Sequence, residues 1–206
     1  MAESFYITQR KAQNIYNAFD YAEFKGERLS HFIVINLDVD PEQNDHCQFR
    51  KIRDSYADWR RNWIRKLRPK NVPSFGGRYV FTLENPSGDN LHVNWVLYIP
   101  DLLRWDFNNK LENWVRDVVR NYGRHTIESR LINPDAYKST ANYILKGVHP
   151  DDANNFYIQH LCAPQGSIHG QRAGFSNSLG PRAIADDNFN PTAYRRQRRN
   201  RYRKAA

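Results

Sequence analysis

From Leu91 to Ile99 apolar and polar residues alternate. Leu91, Val93, Trp95, Leu97 and Ile99 point to one side of an extended chain, and His92, Asn94, Val96 and Tyr98 to the other. The same extended character is expected over 77–84, and Pro86-Ser-Gly-Asp between the two runs is turn chemistry, so the pair reads as a hairpin. Two further strands are expected, at 31–38 and 127–132. Helices are expected where apolar residues recur at helical spacing. Ile15, Ala18, Phe19 and Ala22 mark one over 8–23. Ile52, Tyr56, Trp59, Trp63 and Leu67 mark a second over 49–68, which Pro69 should end. Leu111, Trp114, Val115, Val118 and Tyr122 mark a third over 106–122, closed by Gly123. In a fourth, Asn133 is a good N-cap, Pro134 suits the first position, and Gly147 could end the helix in a left-handed conformation. After Gly147 periodicity fades, glycines punctuate the chain, and the segment from Asp186 onward is expected to be disordered.

The polar side of the 91–99 strand sets an imidazole beside a carboxamide. If the hairpin register puts Glu84 opposite His92, a carboxylate joins them. Such a set suits a hard cation, Mg²⁺ or Mn²⁺; a solvated strand face gives the same pattern. In the fourth helix Tyr143 and Lys146 are three residues apart and share a face. A nearby cation would favour the phenolate of an attacking tyrosine, whereas a tyrosine with its ring in the core needs no such partner. Tyr137 falls on a different face. His125, His149, His160 and His169 form no helical His-x-x-x-His pair and are assigned no metal role.

Charge narrows the range of partners. The chain has 206 residues and a net charge of +9. Residues 50–70 carry a net +7 and residues 195–204 another +7, so the rest is acidic. Charge gathered in two segments suits a phosphate backbone better than an even solubility coat does, although a solvated helix face also carries charge runs. Arg60, Arg61 and Arg65 in the first segment, and Arg195, Arg196, Arg198, Arg199 and Arg201 in the second, are the candidate phosphate contacts. The aromatic stripe at 52–67 reads as core rather than as a base-stacking platform. No apolar run is long enough to span a bilayer and no signal-peptide pattern opens the chain. Two cysteines, Cys47 and Cys162, make no disulfide framework. A cytoplasmic protein with no membrane partner is therefore expected.

Taken together these stretches resemble the HUH endonucleases, specifically the single-tyrosine Rep-type nickases of rolling-circle replication. His31-Phe-Ile-Val-Ile-Asn-Leu-Asp38 is similar to the family's first, apolar motif. Glu84 and His92 match the acidic ligand and first histidine of the second. Tyr143 and Lys146 match the Tyr-x-x-Lys of the third. The resemblance covers residues 30–147, with a weaker likeness over Gly170–Arg182. Asn94 stands where the family's second histidine belongs.

The resemblance implies an α+β fold with RRM-like topology: a mostly antiparallel sheet, helices packed on one face, the other face open for DNA. It implies an N-terminal helical extension at 1–30, a nuclease domain at 31–185 and a basic tail at 186–206. It further implies a single-stranded DNA nickase and ligase that forms a 5′-phosphotyrosine, with Glu84, His92 and Asn94 as metal ligands, Tyr143 as nucleophile and Lys146 beside the phosphate. Single-stranded DNA at an origin or hairpin would be the substrate, with a host helicase and polymerase as further partners, because no Walker-type Gly-x-x-x-x-Gly-Lys occurs. The other reading is a DNA- or RNA-binding protein on the same fold with weakened chemistry, motivated by Asn94.

Overall fold

A computed structural model describes residues 3–40, 42–67 and 75–205, apart from the side chains of Leu67 and residues 201–205. The fold is α+β around a five-stranded antiparallel sheet of order β5-β2-β4-β3-β7. Its strands are β2 (His31–Asn36), β3 (Tyr79–Glu84), β4 (His92–Leu97), β5 (Ile127–Leu131) and β7 (Ala173–Phe175). A two-stranded ribbon joins β1 (Glu3–Ser4) to β6 (Ile168–His169). The β3–β4 hairpin sets Glu84 opposite His92 and Thr82 opposite Asn94. Alternation along β4 then divides the core in two.

One face carries Ile33, Ile35, Phe81, Leu83, Val93, Trp95 and Leu97. Helices α2 (His46–Leu67) and α3 (Arg104–Arg116) cover it with Phe49, Ile52, Tyr56, Trp59, Phe107 and Leu111. Here the aromatic stripe of α2 is core, as its spacing implies. Trp59 and Trp63 donate their indole N–H groups to Asp106 Oδ2 at 2.7 and 2.8 Å, tying α2 to α3. Pro69, the expected stop of α2, lies outside the described residues.

The opposite face is covered too, which differs from the one-sided packing expected. Phe32, Val80, Val96 and Ala173 pack against α1 (Gln9–Phe24), through Ile15, Ala18 and Phe19, and against α4 (Tyr137–Ile144), through Tyr137, Ala141 and Ile144. The reason is the apolar stripe of α1, which must be buried somewhere. Residues 9–24 thus belong to the sheet's core and are no appended extension. Thr8 caps α1, its hydroxyl accepting from the Lys11 N–H at 3.3 Å.

Two further expectations change. Residues 186–205 are not disordered: after α5 (Pro150–Ala153) and α6 (Pro181–Asp186), the basic segment forms α7 (Pro191–Ala205) along α1. Phe189 and Tyr194 join the aromatic group of Tyr21 and Phe24. Arg195 bonds Asp20 at 2.5 Å, and Arg198 pairs with Glu23 at 2.7 Å. These acids supply what composition alone could not show, a partner for the tail. Gly147 does not adopt a left-handed conformation. The α-helix ends at Ile144, and tighter turns carry the chain on, with Leu145 N–H bonding Asn142 O and Lys146 N–H bonding Tyr143 O. The long segment after Gly147 supplies β7 at the sheet edge. It closes against the hairpin where Asn85 N–H bonds Gln165 O at 2.9 Å. Gly166 follows at φ +66°, and a Cβ there would strike Asn85 O, so only glycine fits.

Candidate active site

Glu84, His92 and Asn94 stand on the α1/α4 side of the hairpin because each is in phase with Val96 rather than with Trp95. Glu84 and Asn94 are buried, at 2 % and 1 % exposure. His92 Nε2 lies 2.8 Å from Glu84 Oε2, and His92 Nδ1 lies 3.1 Å from Asn90 O. The Asn94 amide donates to Thr82 Oγ1 across the hairpin at 3.5 Å.

α4 and the turn that follows it bring the second half of the site. Lys146 Nζ is 2.9 Å from Glu84 Oε2 and 3.3 Å from the Tyr143 hydroxyl oxygen, and it also sits over the Tyr143 ring. Tyr143, Lys146, Glu84 and His92 therefore form one continuous chain of contacts drawn from the β3–β4 hairpin and from α4 with the turn that follows it. The Tyr143 ring meets Phe32 edge-on at 5.9 Å, and the residue is 41 % exposed, so the hydroxyl is held yet reachable. Tyr137 is disposed otherwise: its hydroxyl donates to Phe19 O at 3.0 Å inside the core, and burial pushes its phenol up.

Charge is balanced locally. Burial alone would raise the Glu84 carboxyl, but the His92 hydrogen bond and the Lys146 ammonium outweigh it and hold Glu84 below the usual carboxylate range. Burial alone would lower Lys146. Glu84 and the Tyr143 hydroxyl override that and raise it. One carboxylate thus keeps an ammonium charged beside a phenol.

The donors also fit a small hard cation. Glu84 Oε1 is buried and, among the described residues, has no hydrogen-bond partner. The 2.8 Å between His92 Nε2 and Glu84 Oε2 is close to the spacing of about 3 Å for adjacent ligands on an octahedral ion with bonds of about 2.1 Å. The set contains only one carboxylate and one imidazole, and among the described residues no group of three His, Cys, Asp or Glu is found. Asn94 follows two residues after His92 on the same face of β4, its amide turned to Thr82.

The arginines divide into groups. Arg60, Arg61 and Arg65 ride on α2, on the other side of the sheet, and are not brought to Tyr143. Arg60 instead holds the chain near β3, donating to Phe75 O at 3.2 Å; Arg61 pairs with Asp58 and Arg65 with Asn62. In the tail, Arg195 and Arg198 are taken up by Asp20 and Glu23, while Arg196 and Arg199 are exposed. Arg195, Arg198 and Arg199 border a cleft of about 220 Å³ whose other walls include Tyr137 and Lys138 of α4. The Arg201 side chain lies outside the described residues.

Sequence reading passed over Phe32, Thr82, Arg130 and Asn142 beside these residues. Register alone could have found two of them, since Thr82 faces Asn94 and Arg130 faces Phe32. Comparison with protein-family models, curated proteins and solved structures finds no match. Among the described residues no helix is long and apolar enough to cross a membrane.

Proposed function

We propose that this protein nicks and rejoins single-stranded DNA through a tyrosyl intermediate. The observation that carries the reading is the contact chain Tyr143–Lys146–Glu84–His92, which joins the residues that resemble the third HUH motif to the acidic residue and first histidine of the second. The Tyr143 oxygen attacks the scissile phosphorus, the bond from phosphorus to the 3′ oxygen breaks, and a 5′-phosphotyrosine and a 3′-hydroxyl result. The phenolic proton passes to solvent and the leaving oxygen takes one up. Attack by a 3′-hydroxyl on the phosphotyrosine reverses these changes and seals the strand. Lys146, within 3.3 Å of the phenol oxygen, stabilises negative charge there and on the incoming phosphate. Glu84, His92 and Asn94 would hold Mg²⁺ or Mn²⁺, which supplies Lewis-acid polarisation of a phosphate oxygen. Glu84 keeps Lys146 charged, and Phe32 limits the swing of the Tyr143 ring.

The test is a denaturing gel of labelled single-stranded DNA incubated with the protein and Mn²⁺. A covalent adduct that disappears in Tyr143→Phe supports the reading. An adduct that persists in Tyr143→Phe removes Tyr143 from the role. A second reading, a nucleic-acid-binding protein without strand transfer, is favoured by one observation: Asn94 is 1 % exposed and already engaged with Thr82. Binding without any adduct is its signature.

A further inference from the structure

An open groove of about 510 Å³ runs beside Tyr143, between the exposed edge strand β5 and α4. Its volume falls within the range of about 300–1,000 Å³ typical of small-ligand sites. Three kinds of surface meet in it. Leu131, 54 % exposed at the sheet edge, and Leu161 supply apolar contact, and Tyr143 adds its ring. Arg130 supplies charge. Its guanidinium lies 4.7 Å from the centroid of the Phe32 ring, the same ring that braces Tyr143. Arg130 is exposed, among the described residues it makes no ion pair and no hydrogen bond, and it lines the same groove as Tyr143. Asn142 supplies an oriented amide. The Tyr16 hydroxyl donates to its Oδ1 at 2.6 Å, which fixes the carboxamide, and Asn142 lines the groove. His160 also lines it.

A ligand that matches all three must carry an anion, a flat ring and an acceptor on the ring's edge. An unpaired nucleotide carries all of them. We propose that this groove holds the unpaired deoxynucleotide next to the scissile phosphate, with Arg130 on its backbone and Asn142 on the edge of its base. The placement beside a scissile phosphate rests on the reading of Tyr143 as the attacking residue; the groove, the charge and the amide stand apart from it. Arg130 is a positioning residue, and Asn142 selects the base.

Two measurements test it. In the first, Tyr143→Phe serves as parent protein so that cleavage cannot intervene. Binding of a fluorescein-labelled random single-stranded DNA of about 30 nucleotides, longer than one domain's footprint, is followed by anisotropy over a salt series. Arg130→Gln should weaken binding about fivefold and lower the slope of log K against log salt by about 0.7, one phosphate contact on a single strand. Arg130→Lys should restore the slope. Unchanged affinity and slope in Arg130→Gln would overturn the phosphate contact. An equal loss on an RNA of the same length, bound more tightly than the DNA, would overturn the deoxynucleotide assignment. In the second, protein with Tyr143 intact is given the random DNA and the adducts are sequenced. Asn142→Asp keeps an acceptor for Tyr16 but replaces the amide donors with a second acceptor, so base preference should change at one position flanking the attachment point. A uniform loss with no change in preference would overturn base selection by Asn142. Should no adduct form at all, the strand-transfer reading fails, and the anisotropy arm still decides the groove.

Discussion

The two faces of the sheet are built from the same five strands and do opposite things. Under α2 and α3 lies a dry aromatic layer, in which Phe49, Tyr56, Trp95 and Phe107 meet ring to ring at 5.2–6.4 Å. It tolerates Tyr56 Oη and Trp95 Nε1 as buried atoms with no hydrogen-bond partner among the described residues. On the other face, at the hairpin end, a carboxylate, an imidazole, two amide or hydroxyl groups and an ammonium share a small volume. Burial would be ruinous for any of these charges alone. They persist because each answers another, and because the aromatic face supplies cohesion they do not. A single strand, β4, serves both purposes by alternation: Trp95 looks one way and His92 and Asn94 the other.

That contrast can be broken most sharply from the aromatic side. Phe107, fully buried, is the hub between Tyr56, Trp59, Trp95 and Trp114. Phe107→Ala should cost about 3–5 kcal/mol in urea unfolding. DNA binding per folded molecule should be unchanged. If the variant unfolds with wild-type stability, the aromatic layer is not the source of cohesion.

On the polar side the effect should appear in affinity instead. Asn94→His replaces an amide with the better transition-metal ligand. Isothermal calorimetry should show Mn²⁺ binding about tenfold tighter, a change of about 1.4 kcal/mol. Lys146→Gln removes the ammonium that shares Glu84 Oε2 and should shift Mn²⁺ affinity in the same direction. No change in either variant would mean that Glu84, His92 and Asn94 are not the ligands.

The pH response has a definite sign. Glu84 titrates below its ordinary 4.5 in the folded protein. Its contribution to stability is present above that value and is lost as pH falls through the depressed one. Lys146 is raised above 10.5, so its contribution is present below that value and is lost as pH rises through the raised one. Melting temperature against pH should therefore fall less steeply in acid for Glu84→Gln than for the wild type. Equal acid limbs would show that the Glu84 pairings do not contribute to folding.

The smallest effects belong to α7. Arg196→Gln with Arg199→Gln, both exposed, should leave the melting temperature in place and lower the salt slope of DNA binding by at most about 1.4. Arg195→Gln leaves Asp20, 6 % exposed, without its closest cation and should act on stability instead. Reversal of these two outcomes would show that the docked and free arginines have been exchanged.

Much of this was legible in the chain. Alternation at 91–99 fixed which residues of β4 turn toward Glu84, and turn chemistry at 86–89 fixed the hairpin, because both depend on neighbours only. Spacing likewise brought Tyr143 and Lys146 to one side, although the α-helix itself ends between them. What could not be read were contacts over long separations. The acids that answer the tail lie on α1, more than a hundred residues away, so residues 191–205 look unstructured in isolation. The strand at 173–175 is too short and too glycine-rich to announce itself, and only the free edge of β3 defines it. Arg130 and Asn142 carry no motif at all. Their place follows from register with Phe32 and from the hydroxyl of Tyr16.

The clasp of α7 on α1 also orders events during synthesis. Tyr143 leaves the ribosome well before Arg195 and Arg198 do. At about 5–20 residues per second the interval lasts seconds. Throughout it Asp20 is wet and the aromatic group of Tyr21 and Phe24 lacks Phe189 and Tyr194. A nascent chain therefore exposes the helix that carries Tyr143 before α7 has closed on α1, and chaperones would find their footing on the outer side of α1.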